Sequence, residues 1–240
     1  MNFSINIVDY SVKAFGITTK EEFIDFALGK STVYTEAKNP KPEFIPMMTA
    51  RRLSQGCRLA VDIGLKLNSQ YDIEAVIYSS RSGELEHNYK VLESNVNGVD
   101  CSPTDFSMSV HNCAVGNFTI LSKKKIPSSS ITAGTDSFMQ ALTDAYIMLK
   151  AGYKKVLLVD FDVNLPQFFK DYIEYGAPTY PFAVGFVLEL GDQINISTAK
   201  SEKRIISDLP LSMIFAKNFA SNNSSFSVQG EKLQWDILVK

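Results

Sequence analysis

The sequence predicts a single α/β domain, a mixed β-sheet covered by helices. Two observations point there. Short, almost wholly apolar runs such as Val156-Leu157-Leu158-Val159 have the composition of strands buried on both faces. They alternate with stretches whose apolar residues recur at helical spacing. The last third is richer in strand-like runs, which makes the sheet mixed. No internal repeat or linker-like composition shift divides the 240 residues, so one domain over 1–240 is the economical reading.

The elements follow in order. Ser4 to Val8 alternates faces and reads as a short strand. Thr19 followed by Glu21 and Glu22 starts a helix over Lys20 to Leu28, with negative charge in its first turn. Lys30 to Pro46 has three prolines and no period, so it reads as a surface loop. Met47 to Leu67 reads as one helix, with Leu53, Cys57, Ala60, Val61 and Gly64 on its apolar stripe and Arg51, Arg52 and Arg58 largely off it. A strand lies within Asp72 to Ser80. Arg81-Ser82-Gly83 turns it into a helix over Glu84 to Ser94. Ser102-Pro103-Thr104-Asp105 has helix-start chemistry, and a continuous helix to about Leu121 is expected after it. Lys123 to Pro127 is a polar connection and Ser128 to Thr132 a strand. Phe138, Leu142, Ala145, Met148 and Leu149 mark an amphipathic helix that ends at Gly152. Val156 to Val159, Tyr180 to Leu190 and Gln193 to Thr198 read as strands, and Leu211 to Ala220 as a helix. Ser221 to Gln229 is expected to be a polar loop and Trp235 to Val239 a last strand.

Composition excludes several functions. With 24 basic and 26 acidic residues there is no basic footprint for nucleic acid. No apolar run reaches the ~18–20 residues of a membrane helix, and Met1 to Lys13 lacks the basic start of a signal peptide. The three cysteines, Cys57, Cys101 and Cys113, are odd in number and widely spaced, which argues for a reducing compartment. The expectation is a soluble cytoplasmic protein.

Familiar catalytic patterns are missing. There are only two histidines. His87 is expected on an exposed helix face, and His111 inside the helix that runs to Leu121, as a core or interface residue. No metal-binding spacing and no phosphate-binding glycine loop occur. Asp160 and Asp162 flank Phe161 beyond a strand and point the same way. They cap the following turn or, less readily, hold Mg²⁺. Lys123-Lys124-Lys125 and Lys154-Lys155 read as solvated loop charges.

One stretch is more specific. Ser102-Pro103-Thr104-Asp105-Phe106-Ser107-Met108-Ser109-Val110-His111-Asn112 leads into Cys113-Ala114-Val115-Gly116-Asn117-Phe118. It is followed by Thr132-Ala133-Gly134-Thr135-Asp136-Ser137-Phe138, and then by Val156 to Asp162. Upstream stand Arg51-Arg52-Leu53-Ser54 and Ser79-Ser80-Arg81-Ser82-Gly83-Glu84-Leu85. Together, over roughly Ile45 to Leu190, these resemble the N-terminal half of a β-ketoacyl synthase of the thiolase-like fold. More narrowly, they resemble the short β-ketoacyl-synthase-like proteins found beside aryl polyene biosynthesis enzymes.

The resemblance implies a thiolase-like N-terminal half without the second, C-terminal repeat that carries the catalytic histidines. In family ketosynthases the nucleophilic cysteine follows a Thr-Ala pair at a strand-to-helix turn. Here the motif places Gly134 at that position, while loop and helix lengths place Thr135 there. Neither is cysteine. The resemblance therefore implies a chain length factor, the inactive partner of a β-ketoacyl-ACP synthase heterodimer, which shapes the acyl tunnel. It implies no cofactor, with an acyl carrier protein met mainly through the partner. Interface and tunnel candidates are Ser109, His111, Asn112, Gly116, Phe118, Phe138 and Met139. Two other readings stay open: an independent acyltransferase or hydrolase using Thr135 or Cys113, and a carrier-protein scaffold using Lys123 to Lys125 or Arg51, Arg52 and Arg58.

Overall fold

A computed structural model of the chain describes residues 1–33, 40–170, 172, 180–202, 207 and 209–240. Among these, eight strands form one sheet. They are β1 (Asn2–Ala14), β2 (Ala75–Ser79), β3 (Ser128–Ile131), β4 (Val156–Asp162), β5 (Phe182–Leu190), β6 (Ile194–Lys200), β7 (Ser225–Gln229) and β8 (Leu233–Val239). Their order is β3-β2-β4-β5-β1-β6-β8-β7. The first three run parallel, and every later neighbour is antiparallel. The sheet is mixed, as expected.

The helices are α1 (Lys20–Ala27), α2 (Met47–Ala50), α3 (Gln55–Gln70), α4 (Leu85–Val96), α5 (Pro103–Met108), α6 (Cys113–Ser122), α7 (Ser137–Lys150), α8 (Gln167–Lys170) and α9 (Leu211–Ala220). One face of the sheet packs on α1, α7 and α9, and the other on α3 and α6. Successive residues of the central strands feed opposite cores: Leu158 lies with α7, Leu157 and Val159 with α3. Both faces being covered, β2 and β4 are buried along their whole length. On the far side, β6 and β8 bury alternate residues only, so Trp235 and Ile237 point inward between partly exposed neighbours.

Several expectations need correction. β1 is 13 residues long, not the short Ser4 to Val8 run, because a bulge at Val8 breaks its alternation. Ile5 and Ile7 face the first core before the bulge, Val12 and Ala14 after it. The extra residue thus keeps both halves of the strand on one core. It also turns Lys13 to the other face, where its Nζ lies 2.7 Å from Asp62 of α3 and 3.0 Å from Glu43. Lys13 and Asp62 are fully buried, and the second Asp62 oxygen accepts the Glu43 and Phe44 amides. This ion pair fixes the end of the 40–46 loop to the sheet. The expected loop Lys30 to Pro46 lies partly outside the described residues, at 34–39.

The expected helix Met47 to Leu67 is two helices, because Ser54 starts α3 by accepting the Cys57 amide on its hydroxyl. At Gly56 a Cβ would lie 2.1 Å from the Asp162 carbonyl, so α3 begins in direct backbone contact with the end of β4. The expected helix through Leu121 is also two, α5 and α6, interrupted at Ser109–Asn112. The polar stretch Ser221 to Gln229 is not all loop. Its last five residues form β7, an edge strand with Ser225 and Ser227 exposed and Val228 and Gln229 buried. β4 runs on past Val159 to Asp162, and α8 had no counterpart in the sequence reading. No helix among the described residues is long and apolar enough to cross a membrane.

Removing one partner of a buried pair strands the other charge, at a cost of roughly 3–5 kcal/mol. Lys13→Met should lower the unfolding free energy by about that much. Lys13→Met combined with Asp62→Asn, which keeps an oxygen for the loop amides, should recover a large part of the loss in urea titrations.

Candidate functional site: the turn before helix α7

The site forms where β2, β3 and β4 end on the same side of the sheet. β3 leaves through Thr132 and Ala133. A single 3-10 turn, Gly134–Asp136, then leads into α7. The turn is held from below by Ser137, whose buried hydroxyl accepts the Ala133 amide at 2.9 Å and donates to the Gly134 carbonyl at 2.7 Å. It is held from the side by Asp136, which accepts the Glu231 amide from the β7–β8 connection. Gly134 has φ of +59°, a backbone state that a side chain disfavours. Thr135, half-buried, makes no side-chain hydrogen bond among the described residues.

Beneath this turn lies a buried polar network. Asp160 accepts the Ser79 and Ser212 hydroxyls, each at 2.6 Å. Asp162 accepts the Ser80 hydroxyl and the Arg81 and Ser82 amides, and so caps the turn after β2. The capping role expected for the pair falls to Asp162 alone, and at the turn after β2 rather than the turn after β4, while Asp160 holds serine hydroxyls. Burial pushes the Asp160 carboxyl up to about 7, against the pull of the two serine hydroxyls.

The two histidines sit elsewhere than expected. His111 is not inside a helix but in the break between α5 and α6. Its Nε2 lies 3.1 Å from the Ser80 carbonyl and its Nδ1 2.8 Å from Ser130 Oγ. A carbonyl only accepts, so Nε2 carries a proton and both ring nitrogens are engaged. His87 is buried, not exposed, with Nδ1 2.8 Å from Asp105 of α5. Among the described residues no base is bonded to Thr135.

Cys113 opens α6, where its sulfur contacts Met108 Sδ at 3.4 Å and accepts from Asn117 at 3.4 Å. Cys57 of α3 lies beside it. Its thiol is pushed well up by the Cys113 sulfur and by burial, the opposite of an activated nucleophile. The sequence reading did not connect Cys57, Glu84 and Cys113, which the fold gathers into one buried cluster.

Of the interface candidates, Ser109, His111, Asn112 and Gly116 lie at or near the surface around the α5–α6 break. Phe118, Phe138 and Met139 are fully buried. Phe118 packs on Tyr78, and Phe138 on Phe186 and Phe215, so their packing is that of core residues. Next to the surface group, Phe106, Val110 and Ile120 are more than half or about half exposed.

The raised Asp160 carboxyl sets a pH dependence. Its stabilising, protonated form is fully present below the ordinary 3.8 and is lost as pH rises through about 7. Asp160→Asn, which cannot ionise, should gain relative to the parent across that window, by up to about 4 kcal/mol. Urea midpoints of the two proteins measured from pH 4.5 to 8 check this.

No curated protein matches the sequence. Among solved structures, one chain from the complex of the ketosynthase ApeO with its chain length factor ApeC, from Xenorhabdus doucetiae, is 39% identical, with a TM-score of 0.93. The match covers 98% of this chain and 99% of that one. Two matches under 25% identical bear on the fold alone. The ishigamide ketosynthase/chain length factor is 16% identical with a TM-score of 0.65, over 83% of this chain and 68% of that chain. The AntDE:AntF assembly, a type II PKS acyl-carrier protein with its ketosynthase bound to the hexaketide, is 10% identical with a TM-score of 0.71. That match covers 98% of this chain and 99% of the other. A family model for the beta-ketoacyl synthase N-terminal domain matches residues 28–236, and the chain belongs to that family.

Proposed function

We propose that this chain is a non-catalytic chain length factor. It pairs with a β-ketoacyl-ACP synthase in the cytoplasm and shapes the tunnel that holds the growing chain during aryl polyene or related polyketide biosynthesis. The observation that carries this reading is the turn before α7. It joins β3 to α7 through a tight turn at Gly134–Asp136, and the motif resemblance matches Gly134 or Thr135 to the nucleophile position of family ketosynthases. Glycine has no side chain with which to attack a thioester. Among the described residues no base is bonded to Thr135, and both nitrogens of His111 are committed elsewhere. The 39% identity to a chain of a ketosynthase–chain length factor complex supports the same assignment.

The surface fits a partner. β3 is one of the two edge strands of the sheet among the described residues, with only β2 beside it there. The amide of Val76 reaches the Pro127 carbonyl, and that of Ser80 the Ile131 carbonyl. This register sends the Ser129 and Ile131 backbone groups toward β2 and leaves those of Ser128 and Ser130 facing the open edge. An open edge in a chain that also exposes Val110 and Ile120 is a liability in a lone molecule and an asset in a heterodimer. In this reading Ser109, Asn112, Gly116 and the 132–135 turn meet the partner. Phe118, Phe138 and Met139 act on the tunnel from behind, through the position of the turn. The acyl carrier protein docks mainly on the ketosynthase, with its acyl-phosphopantetheine arm entering there.

The alternative of an independent hydrolase using Cys113 gains no support from a sulfur that is buried against Met108 and Cys57.

Co-expression with its cognate ketosynthase should give a 1:1 heterodimer on size-exclusion chromatography with light scattering. Ser128→Pro removes an outward amide without touching the bonds to β2. It should leave the isolated chain folded and weaken the heterodimer by about tenfold or more, equivalent to about 1.4 kcal/mol. A chain that never co-elutes with any ketosynthase would rule out the assignment.

A further inference from the structure

A second buried site lies where three helices begin, apart from the turn before α7. Cys57 is in the first turn of α3, Glu84 is the residue before α4, and Cys113 opens α6. Their two sulfurs and a Glu84 oxygen all lie within 4.8 Å of one another, in the interior. The Glu84 side chain is 0% exposed, and neither oxygen makes a well-formed hydrogen bond among the described residues, although the Ser54 hydroxyl and the Cys57 thiol lie beside it. A carboxyl placed this way is desolvated without full compensation. His87 Nε2 stands 4.0 Å from Glu84, also buried and without a hydrogen-bond partner. The other nitrogen of that ring, Nδ1, is held 2.8 Å from Asp105. A histidine oriented by a carboxylate through one nitrogen and presenting the other is the arrangement that stands behind metal-ligating imidazoles.

We propose that Cys57, Glu84 and Cys113, with His87 Nε2 as the fourth donor, bind one zinc ion. Two sulfurs, an imidazole and a carboxylate suit a borderline-soft tetrahedral ion better than magnesium or calcium, which take oxygen donors. Tetrahedral coordination with Zn–S bonds of about 2.3 Å brings the donors to about 3.8 Å apart. The Cys57–Glu84–Cys113 trio therefore closes by about 1 Å on binding, and His87, which stands 4.0 Å from Glu84 and outside that trio, turns in to complete the set. As each Zn–S bond forms, the thiol releases its proton to solvent, and no electron changes hands. The helix starts add partial positive charge that favours the resulting thiolates. The Asn117 amide, already donating to Cys113 Sγ, remains behind the ligand. Bound here, the ion would tie α3, α4 and α6 together and fix the α5–α6 break that carries His111 and Val110. The site stands independently of the proposed function.

The test uses the full chain from zinc-supplemented cells, alone and with its partner. Metal content after desalting should be close to one zinc per chain. Cobalt(II) added to the metal-free protein should give thiolate charge-transfer bands and the intense visible bands of a tetrahedral site. Glu84→Gln and His87→Gln should weaken cobalt binding by about 10- to 100-fold, and Cys57→Ser with Cys113→Ser should abolish the thiolate bands. Cys101→Ser should change nothing. The cobalt spectrum of the parent protein reads thiolate ligation even if the double variant fails to fold. A parent protein without stoichiometric zinc and without that spectrum overturns the proposal. So does a metal-free Cys57–Cys113 disulfide, or a spectrum that survives the double substitution.

Discussion

Two carboxylates at the end of the most enclosed strand govern the functional side of this molecule. Asp160 and Asp162 end β4 with both faces of the sheet covered, so water cannot satisfy them. Their oxygens must find protein donors or the strand cannot stay buried. Ser79, Ser80, Ser212 and the Arg81 and Ser82 amides supply those donors. The consequences spread outward. Ser80 in turn accepts the Gly83 amide, and its carbonyl receives His111 and Ser137. Through these bonds the end of β2, the start of α4, the α5–α6 break and the start of α7 are set relative to one another. The turn at Gly134 has a fixed shape because the network beneath it is complete.

This scaffold separates shape from chemistry. Ketosynthase catalysis needs a nucleophile at the turn and bases to serve it, yet the strand-turn-helix geometry depends on neither. It depends on Ser137, on Asp136 and on the carboxylates below. Under the proposed function, this chain lacks the nucleophile and keeps the surface that a partner recognises. Steric control of product length asks only for that surface, since a wall acts by excluded volume and not by reactivity. The buried Lys13–Asp62 pair does similar structural duty at a distance, anchoring the 40–46 loop behind α3.

Much of the architecture was legible in the sequence, because β2, β4, β5 and α7 carry periodicities that burial enforces. Helix starts were legible where a cap is local, as at Thr19 with Glu22 or Ser102 with Asp105. The breaks at Arg51–Ser54 and Ser109–Asn112 were not. The second arises because His111 reaches Ser80 and Ser130, contacts 31 and 19 residues away in sequence. The second half of β1 was hidden by a one-residue bulge, and β7 by its serines and its edge position. Of the site, the turn at Gly134 and Thr135 was legible through its motif. His87 was placed on the wrong face because Asp105, which buries it, lies 18 residues away. The Cys57–Glu84–Cys113 cluster draws on three separate segments, so no local spacing announces it.

The central claim is that this chain contributes shape and no nucleophile. The most direct measurement is intact-mass spectrometry of the reconstituted heterodimer after brief exposure to an acyl thioester substrate. The account predicts one acyl adduct, carried by the ketosynthase subunit, and an unchanged mass for this chain. An acyl adduct on this chain that disappears in Thr135→Ala or Cys113→Ala would contradict it.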